Sequence, residues 1–218
     1  KFMAYPITIT IDDIKTYYLK DRIKVNKITI ADNSDIGLIN GLWANALNCG
    51  GIMQIQAKFF PSNSKYDLKL TGLQGDVMKE SMNVAKSLAY NLLHEFNSDI
   101  SLNKQAIHVH CPDGSTPKDG PSAGTAITLV IYSLLTNKKI KNDIAITGEI
   151  NLFGNISKIG GLEFKVMGAL KANVKTIIYP TENQEDIDKI IIKYPETNNL
   201  IFISASNIRD ILNIVFLD

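Results

Sequence analysis

The sequence predicts a mixed α/β (α+β) chain in one domain of 1–218, with a β-rich part over about 1–72 and alternating strands and helices over about 73–218. Three observations predict it. Apolar and polar residues alternate through much of the early chain, which is the period of a half-buried strand. From Asp76 the period lengthens to that of an amphipathic helix. After that, short apolar runs and helical stretches take turns, as in strand–helix–strand units.

Residues 7–11, 27–30 and 51–60 alternate and are expected as strands, with a short helix over 12–19. Residues 61–67 carry turn chemistry and the chain returns at 68–71, so a hairpin is expected there. Val77, Met78, Met82, Val84, Ala85, Leu88, Leu92 and Leu93 mark a helix over 76–95. A strand at 106–110, a loop rich in glycine and proline and a helix over 121–135 follow. Next come a strand at 143–147 and a helix over 161–172, which Asn173 can end in the left-handed region. Strands at 176–179 and 200–203, a helix over 182–192 and a closing helix complete the chain.

Composition excludes several classes. Hydrophobic residues at 45% and charged residues at 21% rule out a disordered tail, a coiled coil or a membrane bundle. Twenty-three Lys plus Arg against 22 Asp plus Glu leave a net charge of +1, without the broad basic face that nucleic-acid binding needs. Two cysteines, Cys49 and Cys111, make no disulfide framework and point to a reducing compartment. The longest apolar stretch, 126–135, is about half of a bilayer span, so no membrane contact is expected. Residues 1–6 lack the apolar core of a signal peptide, so any targeting segment is expected to be lost or to lie upstream.

Residues 111–124 hold three prolines and three glycines, with Ser122 just after Pro121 at the start of a helix. Unpaired N–H groups and the positive end of the dipole stabilise developing negative charge there, so a nucleophile would have an oxyanion hole in reach. A plain N-cap is the competing role for this serine. On the helix over 161–172, Lys165 shares a face with Gly161, Gly168, Ala169 and Ala172. Small residues let neighbouring elements press in and desolvate the amine, which lowers its pKa as a neutral base requires. The alternative is a solvated or snorkelling lysine. His108 and His110 share a strand face without a clear third ligand, so they are read as packing or hydrogen-bonding residues and no metal is expected. In Thr147-Gly-Glu149 a hydroxyl and a carboxylate end a strand where they could orient an amine.

These residues resemble the Lon proteases. Pro117-Lys-Asp-Gly-Pro-Ser-Ala-Gly124 is similar to that family's nucleophile motif at every position. Residues 159–165 are similar to its catalytic-lysine motif, with Phe164 where an acidic residue is commoner. Ile146-Thr-Gly-Glu149, residues 71–81 and residues 179–183 match further blocks, in order, over about 37–183. Trp43 stands one residue earlier than usual in the family, which leaves the local strand register open.

The resemblance implies the Lon proteolytic fold, related to GHMP kinases, and a serine endopeptidase with Ser122 as nucleophile and Lys165 as general base. Thr147 would orient the lysine, and Asp119 and Glu149 would modulate it. It also implies unfolded or damaged polypeptides as substrates, a homohexameric ring and an AAA+ ATPase on the same polypeptide. No G-x-x-x-x-G-K-[ST] run occurs, so ATP and magnesium are expected in that missing AAA+ domain and no cofactor in this chain. The upstream blocks look more mitochondrial than bacterial, which gives the mitochondrial matrix first and a bacterial cytoplasm second. A GHMP-like small-molecule kinase is the rival enzyme, although Pro117, Pro121 and Asp119 remove or oppose amide contacts to a triphosphate. A non-catalytic ring-assembly module is the other rival.

Overall fold

In a computed structural model, residues 8–20, 28–63, 67–96, 105–112 and 118–217 are described. The first element corrects an expectation. Of the strand expected over 7–11, Ile7 lies outside the described residues, residues 8–10 form no strand, and Ile11 opens a helix: α1 (Ile11–Asp13), continued by a π turn at Ile14–Tyr18. The Thr10 hydroxyl accepts from Asp13 N–H while the Asp13 carboxylate accepts from Thr10 N–H. This reciprocal capping box satisfies helix-start donors that a strand would leave to a neighbour. Residues 28–30 form no strand, and Lys27 lies outside the described residues.

Two antiparallel strands follow, β1 (Leu38–Ala44) and β2 (Gly50–Pro61), with Leu38 opposite Gln56 and Ala44 opposite Gly50. The expected hairpin from β2 into β3 (Leu68–Thr71) does not form. Helix α2 (Asp76–Phe96) instead returns the chain to β4 (Gln105–His110), which inserts between β2 and β3. It pairs antiparallel with β2 and parallel with β3. A 3-10 turn at Pro121–Ala123 leads into α3 (Gly124–Thr136), and β5 (Ile144–Ile146) then joins β1 in parallel. Two short strands, β6 (Glu149–Ile150) and β7 (Ile156–Ser157), make a separate hairpin. Helix α4 (Leu162–Lys171), β8 (Thr176–Pro180), α5 (Gln184–Lys193), β9 (Ile201–Ala205) and α6 (Leu212–Val215) complete the order.

One sheet therefore runs β3-β4-β2-β1-β5-β8-β9, and the early and late parts of the chain share it. Helices α2 and α3 cover one face with a core that includes Ile39, Ile55, Met82, Leu88 and Leu129. Helices α4 and α5 cover the other face over Leu42, Ile52, Val166, Ile177 and Ile187. Helix α3 is buried from Gly124 to Leu135, which fits its all-round apolar sequence. Asn173 ends the α4 turn at φ 66°, as expected. Among the described residues no helix is long and apolar enough to cross a membrane.

The approach of α4 to the sheet sets up the site. Gly168 lies against the backbone of Gly50 and Gly51, and a Cβ at Gly50 would run into the Phe164 carbonyl and come within 2.9 Å of Lys165 N. Only hydrogen atoms fit between helix and strand, so α4 sits on β2 backbone to backbone. Gly50→Ala should force the two apart and cost about 1–3 kcal/mol, as overpacking does. A lowered urea midpoint at unchanged m-value would show it. An unchanged midpoint would mean that the helix yields freely.

Candidate active site

Three segments converge at the carboxyl end of β5, the kind of crevice where open α/β sheets place ligand sites. The turn carrying Ser122 comes from the α2–α3 face, the first turns of α4 from the opposite face, and Thr147 directly follows β5. Lys165 Nζ lies 3.0 Å from Ser122 Oγ and 3.0 Å from Thr147 Oγ1. Lys165 is only 3% exposed and Thr147 1%. The amine therefore neither snorkels nor reaches bulk water.

Burial lowers the Lys165 pKa from its ordinary 10.5 to about 8, and desolvation is the cause. Proton counting fixes the direction of the contacts. The Thr147 hydroxyl donates to the Ser122 carbonyl at 3.3 Å, so towards Lys165 it offers a lone pair. Neutral Lys165 can give one N–H to Thr147 and keep its own lone pair for the Ser122 O–H. Gly148 fixes the same turn: its N–H donates to the Ser122 carbonyl (2.9 Å), while its carbonyl accepts from Thr125 N–H and the Thr125 hydroxyl.

The cap positions beside Ser122 belong to Gly120 and Ala123, so the serine side chain faces the amine rather than capping a helix. Asp119 lies apart from the amine. Its carboxylate accepts from Met78 N–H and Gly120 N–H, each at 2.9 Å, and so ties the serine loop to the first turn of α2. A backbone bridge between Gln74 and Lys118 and a bond from the Ser81 hydroxyl to the Pro121 carbonyl complete that attachment. Residues 71–81 are thus the platform on which the serine loop rests, while residues 113–117, Pro117 included, lie outside the described residues. Glu149 is exposed and makes no hydrogen bond with the amine, so only the hydroxyl of Thr147-Gly-Glu149 meets Lys165.

Sequence reasoning passed over Asn183. Fully buried, it donates to the Ile159 carbonyl and accepts from Ile159 N–H, both at 3.0 Å, and so fixes the entry to α4. The matching block at 179–183 was the available signal. His108 and His110 meet the Thr71 hydroxyl at 2.8 and 2.7 Å. Among the described residues no three His, Cys, Asp or Glu side chains gather as a metal site.

Residues 8–218 match the family described as the Lon protease (S16) C-terminal proteolytic domain. The chain is 38% identical over 180 residues to a Lon protease of Methanosphaera stadtmanae, covering 83% of this chain and 22% of that protein. Against a Lon protease of Wolbachia pipientis subsp. Culex pipiens it is 37% identical over 208 residues, covering 94% of this chain and 25% of that one. A Lon protease homolog of Acanthamoeba polyphaga mimivirus is 46% identical over 168 residues, which is 74% of this chain and 16% of the homolog. The chain thus spans a quarter or less of the length of these relatives.

The buried amine has a consequence for stability. Between about pH 8 and 10.5 the unfolded chain binds the Lys165 proton and the folded chain does not, so stability rises with pH across that window. Below it the ammonium is buried at a penalty on the order of 3 kcal/mol. Lys165→Met should therefore raise the unfolding free energy at pH 7 and flatten its rise between pH 8 and 10.5. A variant less stable than the parent at pH 7 would contradict the desolvated amine.

Proposed function

The chain belongs to the Lon protease proteolytic-domain family, and on that premise we propose that it is a serine endopeptidase working through Ser122 and Lys165. The observation that carries this reading is a buried amine 3.0 Å from a serine hydroxyl, with the Thr147 hydroxyl accepting from that amine and so leaving the amine's lone pair for the serine. Neutral Lys165 takes the Ser122 proton as Oγ attacks the peptide carbonyl. The proton then passes to the leaving amine, which departs as the C–N bond breaks. A water deprotonated by the same lysine releases the acyl group and restores the serine. The turn that carries Ser122 opens into α3, and the positive end of that helix dipole favours the developing oxyanion. A Ser-Lys pair is an accepted variant of the triad and needs no histidine.

Thr147 holds the lysine in this scheme, and Asp119 acts through the loop it anchors. The substrates we infer are unfolded or damaged polypeptides, handled by a homohexameric ring. ATP dependence would come from an AAA+ module elsewhere on the polypeptide, and the chain's small share of its relatives leaves room for one. A bacterial Lon protease, that of Wolbachia pipientis, is among those relatives, and a bacterial cytoplasm is taken ahead of the mitochondrial matrix.

Ser122→Ala should abolish cleavage of an unstructured polypeptide, and a serine-directed electrophile should leave its adduct on Ser122 in the parent chain. Cleavage by the variant at a comparable rate would remove Ser122 as the nucleophile. Because the base must be neutral, activity should rise with pH through about 8 and level off above it. Lys165→Arg supplies a group that stays protonated and should be inactive across that range. Near-parental activity in the Arg variant would exclude the dyad.

A further inference from the structure

The β6–β7 hairpin has two residues in each strand and no bond to the large sheet. A hairpin of that size is not stable alone. It nevertheless packs directly on the segments that carry the site. Ile150 and Ile156 are buried, and Ile150 covers Gly124 so closely that a Cβ there would come within 2.8 Å of its Cγ2. Ile156 covers Gly148 in the same way. Gly124 follows Ser122 by two residues, and Gly148 donates to the Ser122 carbonyl. The seating of the hairpin therefore bears on the serine turn from both sides.

Something outside the hairpin must hold it. The segment before α6 does so: Ile156 N–H donates to the Ser206 carbonyl, Ile208 N–H to the Gly154 carbonyl, and the Asn207 amide to Asn155 Oδ1. Arg209 closes the arrangement. Its Nε and Nη2 fork onto the Glu95 carboxylate at the end of α2 (3.0 and 2.6 Å), and Nη1 donates to the Phe153 carbonyl at the hairpin tip (3.1 Å). An exposed ion pair contributes little by itself, whereas a planar fork serving a carboxylate and a carbonyl at once fixes geometry.

Composition points to the same residue. Only two of the 23 basic residues are arginine, Arg22 and Arg209, and Arg22 lies outside the described residues. In a chain whose default cation is lysine, Arg209 stands where a single ammonium could not reach both acceptors.

We propose that Arg209 is a positioning residue for the Ser122–Lys165 site: it clamps the β6–β7 hairpin to the end of α2 and so keeps Ile150 and Ile156 seated beside the serine turn. The inference rests on the peptidase reading. Arg209→Lys keeps the charge and loses the fork.

The test measures three things on the whole chain, well below its melting temperature: steady-state cleavage of an unstructured polypeptide, the rate of Ser122 labelling by a fluorophosphonate, and hydrogen exchange at residues 148–157. In Arg209→Lys, kcat and the labelling rate should fall roughly tenfold or more, as for loss of a charge-assisted hydrogen bond. KM should hold, and exchange at residues 148–157 should quicken. Parental kcat and labelling would overturn the inference, and so would a rise in KM alone or slower labelling without faster local exchange. Should the Lys variant fail to fold, Glu95→Gln should show the same changes at smaller size, and parental behaviour there would overturn it too. Absence of Ser122 labelling in the parent chain would instead sink the peptidase reading, which keeps the two failures apart.

Discussion

Everything about the site depends on taking one lysine amine out of water. Desolvation disfavours the ammonium, so the fold must hold α4 against the sheet tightly enough to exclude solvent and must still give the amine polar company. The first requirement is met by the Gly50–Gly168 contact and the second by the hydroxyls of Ser122 and Thr147. Burying an ionisable amine costs stability, and among the described residues of this fold the cost is confined to one lysine.

The three groups reach one another because they come from three layers. Ser122 enters from the α2–α3 side, Lys165 from the α4 side, and Thr147 from the strand between them. Each is fixed by a backbone-level device: Asp119 and the Gln74–Lys118 bridge for the serine loop, Asn183 for the entry to α4, and Gly148 for the turn after β5. Few of these devices touch the amine. Their role is to keep atoms 3 Å apart that are far apart in sequence, which is what proximity requires of a protein.

Much of this was legible before the structure. The amphipathic rhythm of α2, the apolar run of α3 and the small-residue face around Lys165 came through because helix periodicity is a local property. Strand pairing is not local. The turn chemistry at 61–67 promised a hairpin, yet β4 arrives later and takes the place beside β2. Strand β1 shows no alternation because it is central and buried on both faces, so only the resemblance around Trp43 pointed to a strand there, and the structure supplies its register, with Trp43 opposite Gly51. The β6–β7 hairpin is too short to show a period at all. At the amino end the Thr10–Asp13 capping signal outweighed the alternation of residues 7–11. Of the expected site residues, Ser122, Lys165 and Thr147 converge, Asp119 works at one remove, and Glu149 stays outside.

The most direct test of this account is the titration of the lysine itself. Lysine labelled with 13C at Cε gives one resonance for each side chain, and the resonance missing from the spectrum of a Lys165→Met chain identifies Lys165. The account predicts a midpoint near 8 for that signal, well below the reference value of about 10.4 for a lysine in water. A Lys165 midpoint at that reference value would mean that the amine is hydrated and stays charged well above pH 8, and would contradict the account at its base.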